Sequence, residues 1–170
     1  ISFGGSIVPE EPPPPPTFFD LQVIDITWSP VAAKAGEAVT FSALVYNNGT
    51  GPSPDGVIHG VGFSVDGVQV AWSASNTTSI AAHGQRSQVA DGGPGGVLTW
   101  TAVAGTHSVQ AFVDDAGRMP TESDKANNIL VKSIVVASPP PPDPPSGISA
   151  PPQAVAANLT TLVWNDEFEG

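Results

Sequence analysis

The chain has 170 residues, with five Lys and Arg, sixteen Asp and Glu and no Cys, which gives a formal charge of −11. The lack of Cys excludes disulfides, thiolate metal sites and thiol nucleophiles, and the few basic residues exclude a nucleic-acid-binding surface. No run approaches the ~20 apolar residues that a membrane-spanning helix needs. Only 12% of the residues are charged, so small polar side chains must form much of the surface.

Two proline-rich stretches, Pro12 to Pro16 and Pro139 to Pro145, divide the chain. Such stretches favour polyproline II and act as semi-rigid spacers. They predict linkers at 1–18 and 138–160 and one domain at 19–137. Spacers of this kind are typical of extracellular multidomain proteins, so we expect a secreted, monomeric module. Because the chain begins at Ile1 rather than Met, we expect it to be a piece of a longer protein.

Alternation of apolar and polar residues with period two recurs along this domain, and helix signals are nearly absent. Glycine- and asparagine-rich turns separate the alternating segments. The sequence therefore predicts an all-β, antiparallel sandwich of about seven strands, of immunoglobulin or fibronectin type III character. In chain order, the predicted strands lie at about 19–28, 38–47, 57–65, 87–91, 97–103, 106–114 and 129–136, with a further strand after the Asp66-Gly67 turn.

Two local sequence signals refine this strand prediction. In the first strand the inward set passes from Leu21 and Val23 to Ile24, Ile26 and Trp28, and such a phase slip predicts a β-bulge. Asp66-Gly67 predicts a two-residue hairpin turn. An uninterrupted hairpin would pair Val61 with Trp72 and turn Trp72 inward. Trp100, in phase with Leu98 and Ala102, is also expected in the core rather than on a sugar-stacking surface.

A series of short motifs along the domain, from Asp20-Leu21-Gln22-Val23 to Asn127-Asn128, resembles the bacterial CARDB family, an immunoglobulin-like group. This resemblance implies a domain appended to secreted or surface proteins, with no catalytic residues to carry over. The residues that carry it occur in order: Asp20-Leu21-Gln22-Val23, Val45-Tyr46-Asn47-Asn48-Gly49-Thr50-Gly51, Phe63-Ser64-Val65-Asp66-Gly67, Gly105-Thr106-His107, Val113-Asp114-Asp115, Glu122-Ser123-Asp124 and Asn127-Asn128.

The tail at 161–170 resembles the opening strand of a glycoside hydrolase family 16 catalytic domain, through Trp164-Asn165-Asp166-Glu167-Phe168 and Gly170. That family acts on β-1,3- and mixed-linked glucans and on agar- or carrageenan-type galactans. Retaining glycosidases need two carboxyl groups, which family 16 supplies from a Glu-x-Asp-x-x-Glu strand. No such strand occurs in this sequence. We expect it beyond Gly170, and we assign no catalytic residue to this chain.

The histidines do not form a catalytic group. His59 and His107 have inward parity, which favours hydrogen-bonded core or rim positions, and His83 falls in a loop. No Ser lies beside a convincing base.

Five oxygen-bearing side chains occur in one predicted connection, and such groups are calcium ligands. The alternative is that they cap the backbone of a long loop, with Arg118 and Lys125 as counter-charges. We expect no metal or other cofactor, and keep calcium as the lesser possibility. The candidates are Asp114, Asp115, Glu122, Asp124 and Asn127.

The outward residues of one predicted sheet form an uncharged face with two glycines, which leave the backbone open to close approach. A sugar ring could stack on Phe112 and bond to Gln69 and Gln110, with Gly60 and Gly62 beside it. Tyr46 is a second outward aromatic candidate, on the other sheet. A contact with a linker or neighbouring domain would explain these aromatics equally well. The complete predicted face is Ile58, Gly60, Gly62, Ser64, Gln69, Ala71, Ser73, Ser108, Gln110 and Phe112.

We therefore expect a carbohydrate-binding accessory module of a secreted polysaccharide-degrading enzyme. Its expected partners are a neutral polysaccharide, either a β-glucan or an agar-type galactan, and a catalytic domain in the same chain. The few Lys and Arg disfavour a heavily sulfated glycan. The alternative is a structural spacer or docking domain without sugar binding.

Overall fold

The computed structural model describes residues 14–139. Two antiparallel sheets, each of four strands, pack on a common core. This confirms the predicted immunoglobulin-like all-β sandwich. Most of the first proline-rich segment, nearly all of 138–160 and the whole of 161–170 lie outside the described residues. The strands are β1 Leu21–Ser29, β2 Ala38–Asn47, β3 Val61–Val65, β4 Val68–Ser73, β5 Gln85–Val89, β6 Trp100–Thr101, β7 Gly105–Val113 and β8 Ile129–Val136. One sheet has the strand order β1-β2-β5, with β6 paired to β2, and the other has the order β4-β3-β7-β8.

Residues 14–139 contain one 3-10 turn, Pro94–Gly96, and no α-helix. Within that range, no helical segment has the length and hydropathy that crossing a membrane would require.

The core follows from the alternation of the strands. Phe41 of β2 and Phe63 of β3 are fully buried, and their rings stack with centroids 6.0 Å apart across the two sheets. Complete burial of a side chain of this size contributes roughly 1.5–3 kcal/mol. The other faces of these strands are left for loops and solvent.

The bulge predicted in β1 is present. Val23 pairs with Val45 and Asp25 pairs with Leu44, which leaves Ile24 as the extra residue. Its expected inward position is wrong, because Ile24 is 43% exposed. The inward phase resumes at Ile26, which is fully buried.

A second bulge, which the sequence did not predict, reverses the phase of β4. The Asp66-Gly67 turn forms with both residues at positive φ. Ser64 pairs with Gln69, but Phe63 pairs with Ala71, so Val70 has no partner of its own. As a result Ala71 is fully buried and Ser73 nearly so, and the prediction that both point outward is wrong. The inward position predicted for Trp72 is also wrong, since it lies opposite Gly62 on the outer face.

Three strands begin or end at residues other than those predicted from the sequence. β3 starts at Val61 rather than at 57, and β5 covers Gln85–Val89. The predicted strand at 97–103 shrinks to β6, which pairs only with Ala38 and Val39. The Gly93–Gly96 turn precedes this segment and leaves Val97 and Leu98 exposed.

The Asn47-Asn48-Gly49 motif joins separate parts of the chain. Asn47 Oδ1 accepts hydrogen bonds from the Asp20 and Gly49 amides at 3.1 and 3.0 Å. Its Nδ2 donates to the carbonyls of Gly51 and Ile80, both at 2.9 Å. Because a buried amide must have such partners, Asn47 fixes the end of β2 against the start of β1 and the loop before β5.

Candidate functional site

The outer face of the β4-β3-β7-β8 sheet brings most of the predicted ligand residues together. Gly62 of β3 pairs with Phe112 of β7, and Ser64 pairs with Gln110 and with Gln69 of β4. Cross-strand neighbours of this kind share one face of a sheet. Gly60, one residue before Val61, continues the same line.

Trp72 joins this face because of the bulge in β4. Gly62 lies directly between Trp72 on one side and Phe112 on the other. The backbone of Trp72 also pairs with Gly92, and a Cβ atom at Gly92 would collide with the indole ring. The ring is therefore half-buried against bare backbone, and its position depends on Gly92.

The prediction of an uncharged face is wrong, because Asp115 and Arg118 extend over the two glycines. A Cβ atom at Gly62 would lie 2.8 Å from Asp115 Oδ2, and one at Gly60 would lie 2.8 Å from Arg118 Nη1. The glycines admit these two side chains, which come from the connection after β7. The open backbone expected from the sequence is thus covered by a carboxylate and a guanidinium group.

A cleft of about 250 Å³ opens beside this pair. An aromatic ring forms one wall, and amide, carboxylate and guanidinium groups lie around it. This combination can stack on one face of a sugar ring and exchange hydrogen bonds with its hydroxyls. The lining residues are Gln69, Trp72, Ser73, Ala74, Asp115 and Arg118.

Asp115 has weak side-chain partners for a carboxylate that is only 20% exposed. Gln69 Nε2 is 3.5 Å from Oδ2, and Arg118 Nη1 is 4.0 Å from Oδ1. Burial raises the pKa of Asp115, and the Arg118 charge and a hydrogen bond from the Ala116 backbone amide oppose that shift only in part. The carboxylate, which lines the cleft, therefore keeps unused acceptor capacity.

Other predicted ligand residues lie elsewhere. Tyr46 is on β2, in the opposite sheet, where its hydroxyl is 3.3 Å from His83 Nδ1. Ile58 lies in the irregular segment before β3 and is half-buried. Ser108 shares the outer face of β7, but it pairs with Ser133 of β8 toward the other end of the sheet.

The five calcium candidates do not converge on one point. Asp114 accepts hydrogen bonds from the Arg118 and Met119 amides, at 2.6 and 3.2 Å. Asp124 caps the Ala126 amide at 2.8 Å, and Asn127 donates to Asp20 at 3.1 Å. Asp115 belongs to the cleft. Within residues 14–139, no group of three or more His, Asp or Glu side chains is arranged to hold a metal ion.

Lys125 supplies a cation between the two buried carboxylates of this connection. Its Nζ lies 2.9 Å from Asp114 Oδ2 and 3.8 Å from Glu122 Oε2. The hydrogen bond to Asp114 raises the pKa of Lys125. Glu122 also accepts from the Leu21 amide at 2.7 Å and from Asn128 Nδ2 at 2.8 Å. This arrangement ties the β7–β8 connection to β1.

His59 and His107 occupy the core and rim positions that their parity predicts. His59 is fully buried, its Nε2 is 2.7 Å from Ser53 Oγ, and burial lowers its pKa. His107 Nδ1 is 2.7 Å from Asp66, and this bond raises the pKa of His107. Its ring also packs edge-on against Trp100 at 5.1 Å.

Trp100 and Trp28 both pack on the core. The Trp100 ring lies 6.3 Å from that of Phe41, which agrees with its predicted core role, although Trp100 stays half-buried. Trp28 is half-buried near the end of β1 as predicted, with Lys132 Nζ 5.6 Å above its ring.

The fold defines an immunoglobulin-like β-sandwich domain. A family model described as CARDB matches residues 18–132, and the chain belongs to the CARDB family. The family match ends before the tail, so the resemblance of 161–170 to family 16 stays a prediction.

Solved structures share this fold. The CARDB domain of a Pyrococcus furiosus protein, solved in complex with di-metal ions, is 20% identical, with a TM-score of 0.53 over 72% of this chain and 96% of that one. A domain of a Methanosarcina acetivorans protein, described as a cell surface protein, is 21% identical, with a TM-score of 0.53 over 70% of this chain and 92% of that one. At these identities the similarity shows the fold alone. No curated protein sequence matches the chain.

Sequence reasoning did not place four of the residues that line the cleft on the predicted sugar-binding face: Trp72, Ala74, Asp115 and Arg118. The bulge at Val70 decides the side on which Trp72 lies, and no turn residue marks it. The pair Gly60 and Gly62 was a usable signal, because two glycines on one strand face indicate that another group lies on the backbone.

Proposed function

We propose that this CARDB domain is a carbohydrate-binding accessory module of a secreted polysaccharide-degrading glycoside hydrolase. The observation that carries the proposal is the cleft beside Trp72, which combines a half-buried indole with the polar groups of Gln69, Asp115 and Arg118. The tail at 161–170 supports a family 16 catalytic domain as the partner in the same chain. Tethering to a polymer would raise the effective concentration of that catalytic domain at its substrate.

The ligand that this cleft favours is a neutral polysaccharide. Asp115 would repel an anionic sugar, and the formal charge of −11 adds to that repulsion. A single guanidinium group, already beside a carboxylate, is a poor match for a densely sulfated chain. A β-glucan or an agar-type galactan therefore fits best.

Affinity electrophoresis in gels that contain laminarin, mixed-linkage glucan or agarose tests the proposal. We expect at least one polysaccharide to retard the wild-type chain, and Trp72→Ala to remove most of that retardation. Phe112→Ala should weaken binding less, because the Phe112 ring lies outside the cleft lining. Tyr46→Ala, on the opposite sheet, is the matched control and should migrate like wild type.

A structural spacer or docking domain is the second candidate. The observation in its favour is the row of apolar side chains that β8 exposes on the outer face, Ile129, Val131 and Val135, which are 45, 56 and 70% exposed. A spacer would be retarded in none of the gels, so the same experiment separates the two functions.

A further inference from the structure

We propose that Asp115 holds a sugar residue by accepting hydrogen bonds from two hydroxyls on adjacent ring carbons. The cleft would then select neutral glycans whose in-chain residues keep such a hydroxyl pair free. This inference rests on the proposed function, because it names the sugar chemistry of the same cleft.

The Asp115 carboxylate has acceptor capacity that its partners in the protein do not fully use. An ionised carboxylate offers about four acceptor positions on two oxygens. Gln69 lies at 3.5 Å and Arg118 at 4.0 Å, and both distances are long for a hydrogen bond. The Ala116 backbone amide is a further donor to this carboxylate, and one such bond leaves most of the acceptor positions open. Hydroxyl donors from a ligand would therefore find this carboxylate only weakly engaged.

The Asp115 carboxylate lies across the strand that carries Gly60 and Gly62. Oδ1 lies near the Cβ direction of Gly60 and Oδ2 near that of Gly62, so the group lies across the bare strand. The side chain keeps 20% exposure and lines the cleft together with Trp72. A sugar ring stacked on the indole would present its equatorial hydroxyls sideways, toward such a group.

The two carboxylate oxygens match two hydroxyls of a sugar ring. Hydrogen bonds to an ionised acceptor are short and strong, and two hydroxyls on neighbouring carbons can each donate to one carboxylate oxygen. A lone hydroxyl leaves one of the oxygens unused. Arg118 and Gln69 bring donor groups, which suit the ring oxygen and the remaining hydroxyls.

The alternative ligands fit this carboxylate less well. A metal ion would need several oxygen ligands, whereas the cleft offers one carboxylate within the described residues. An anionic sugar would place like charges together. A neutral glycan with adjacent hydroxyls satisfies the acceptor without either problem.

The three test polysaccharides differ in whether their in-chain residues keep two adjacent hydroxyls free. A 4-linked glucose residue keeps adjacent hydroxyls free on carbons 2 and 3, so mixed-linkage glucan carries them along its chain. A 3-linked residue of laminarin or agarose does not, because the linkage oxygen separates its ring hydroxyls. The 4-linked anhydrogalactose of agarose keeps only one ring hydroxyl.

The test measures the affinity of the 170-residue chain for each polysaccharide, for wild type and Asp115→Asn. We expect mixed-linkage glucan to bind about tenfold more tightly than laminarin or agarose, and Asp115→Asn to remove that preference. Mild periodate, which cleaves only adjacent hydroxyl pairs, supplies a test on the unmodified protein. The wild-type protein should no longer bind mixed-linkage glucan once periodate has oxidised the polysaccharide.

Each outcome supports or overturns the inferred role of Asp115. Equal affinity for all three polysaccharides, or unchanged binding after periodate, overturns the inference but leaves sugar binding in place. If no polysaccharide binds the wild-type chain, the proposed function fails and the inference fails with it. If Asp115→Asn does not fold, the periodate comparison with wild type still decides.

Discussion

The bulge in β4 leads to the most specific prediction on stability, because it reverses which side chains of the strand face the core and which face outward. The structure places Ala71 in the core and Trp72 on the outer face. Truncating a fully buried Phe costs about 3–5 kcal/mol, since it loses transfer energy and leaves a cavity. Trp72 is half-buried against the Gly92 backbone and leaves no enclosed cavity, so Trp72→Ala should cost only about 1–2 kcal/mol. Phe63→Ala is the buried reference.

Ala71→Asp is the complementary change. An unpaired carboxylate in the core costs several kcal/mol, which is a large part of the roughly 5–15 kcal/mol that stabilises a typical domain. Urea unfolding followed by circular dichroism gives the free energy of unfolding for all three variants. The reasoning is refuted if Trp72→Ala costs as much as Phe63→Ala, or if Ala71→Asp costs less than about 1 kcal/mol.

The other predictions concern charged groups. Because burial raises the pKa of Asp115 above 3.8, glycan affinity should fall as the pH is lowered through that raised value, and Asp115→Asn should remove this step; titration of the affinity against pH checks it. Burial holds the pKa of His59 below 6.5, so the stability that neutral His59 contributes is complete above pH 6.5 and is lost as the pH falls through the lowered pKa. The free energy of unfolding of His59→Gln should therefore vary less with pH in this range than that of wild type, and the same pH dependence in both proteins would contradict this. Lys125→Met should cost about 2–3 kcal/mol, less than the 3–5 of a fully buried pair, because Lys125 is 45% exposed beside two buried carboxylates. EDTA or calcium should leave the wild-type melting temperature unchanged, and a calcium-dependent rise would reverse our assignment of Lys125 as the resident cation.

The sequence predicted the sandwich and much of its pairing, because alternation directly encodes which residues of β2 and β7 are buried. It also predicted the bulge in β1, where the phase of the apolar residues visibly slips. The bulge in β4 left no such trace, since Val68, Val70 and Trp72 alternate regularly and an alanine follows Val70 in the buried position. Pairing with Phe63 decided the phase, and that is a tertiary effect.

The candidate site was predicted only in part for a related reason. Gln69, Gln110, Phe112 and the two glycines fall on one sheet face, as their parity implied. Asp115 and Arg118 come from a loop, and loop conformation depends on contacts distant in sequence. Capping by Asp114 and the Lys125 ion pair shape this connection, and alternation gives no information about either.

Binding of a neutral glycan in the cleft beside Trp72 is tested most directly by a nitrogen–proton correlation spectrum. The indole resonances of Trp28, Trp72 and Trp100 report on three separate places in the domain. During titration with mixed-linkage glucan oligosaccharides, we predict that the Trp72 indole and the Gln69 side-chain amide shift, while the Trp28 and Trp100 indoles stay in place. Unchanged Trp72 and Gln69 signals at saturating oligosaccharide, or shifts confined to the sheet that carries Tyr46, would contradict the account.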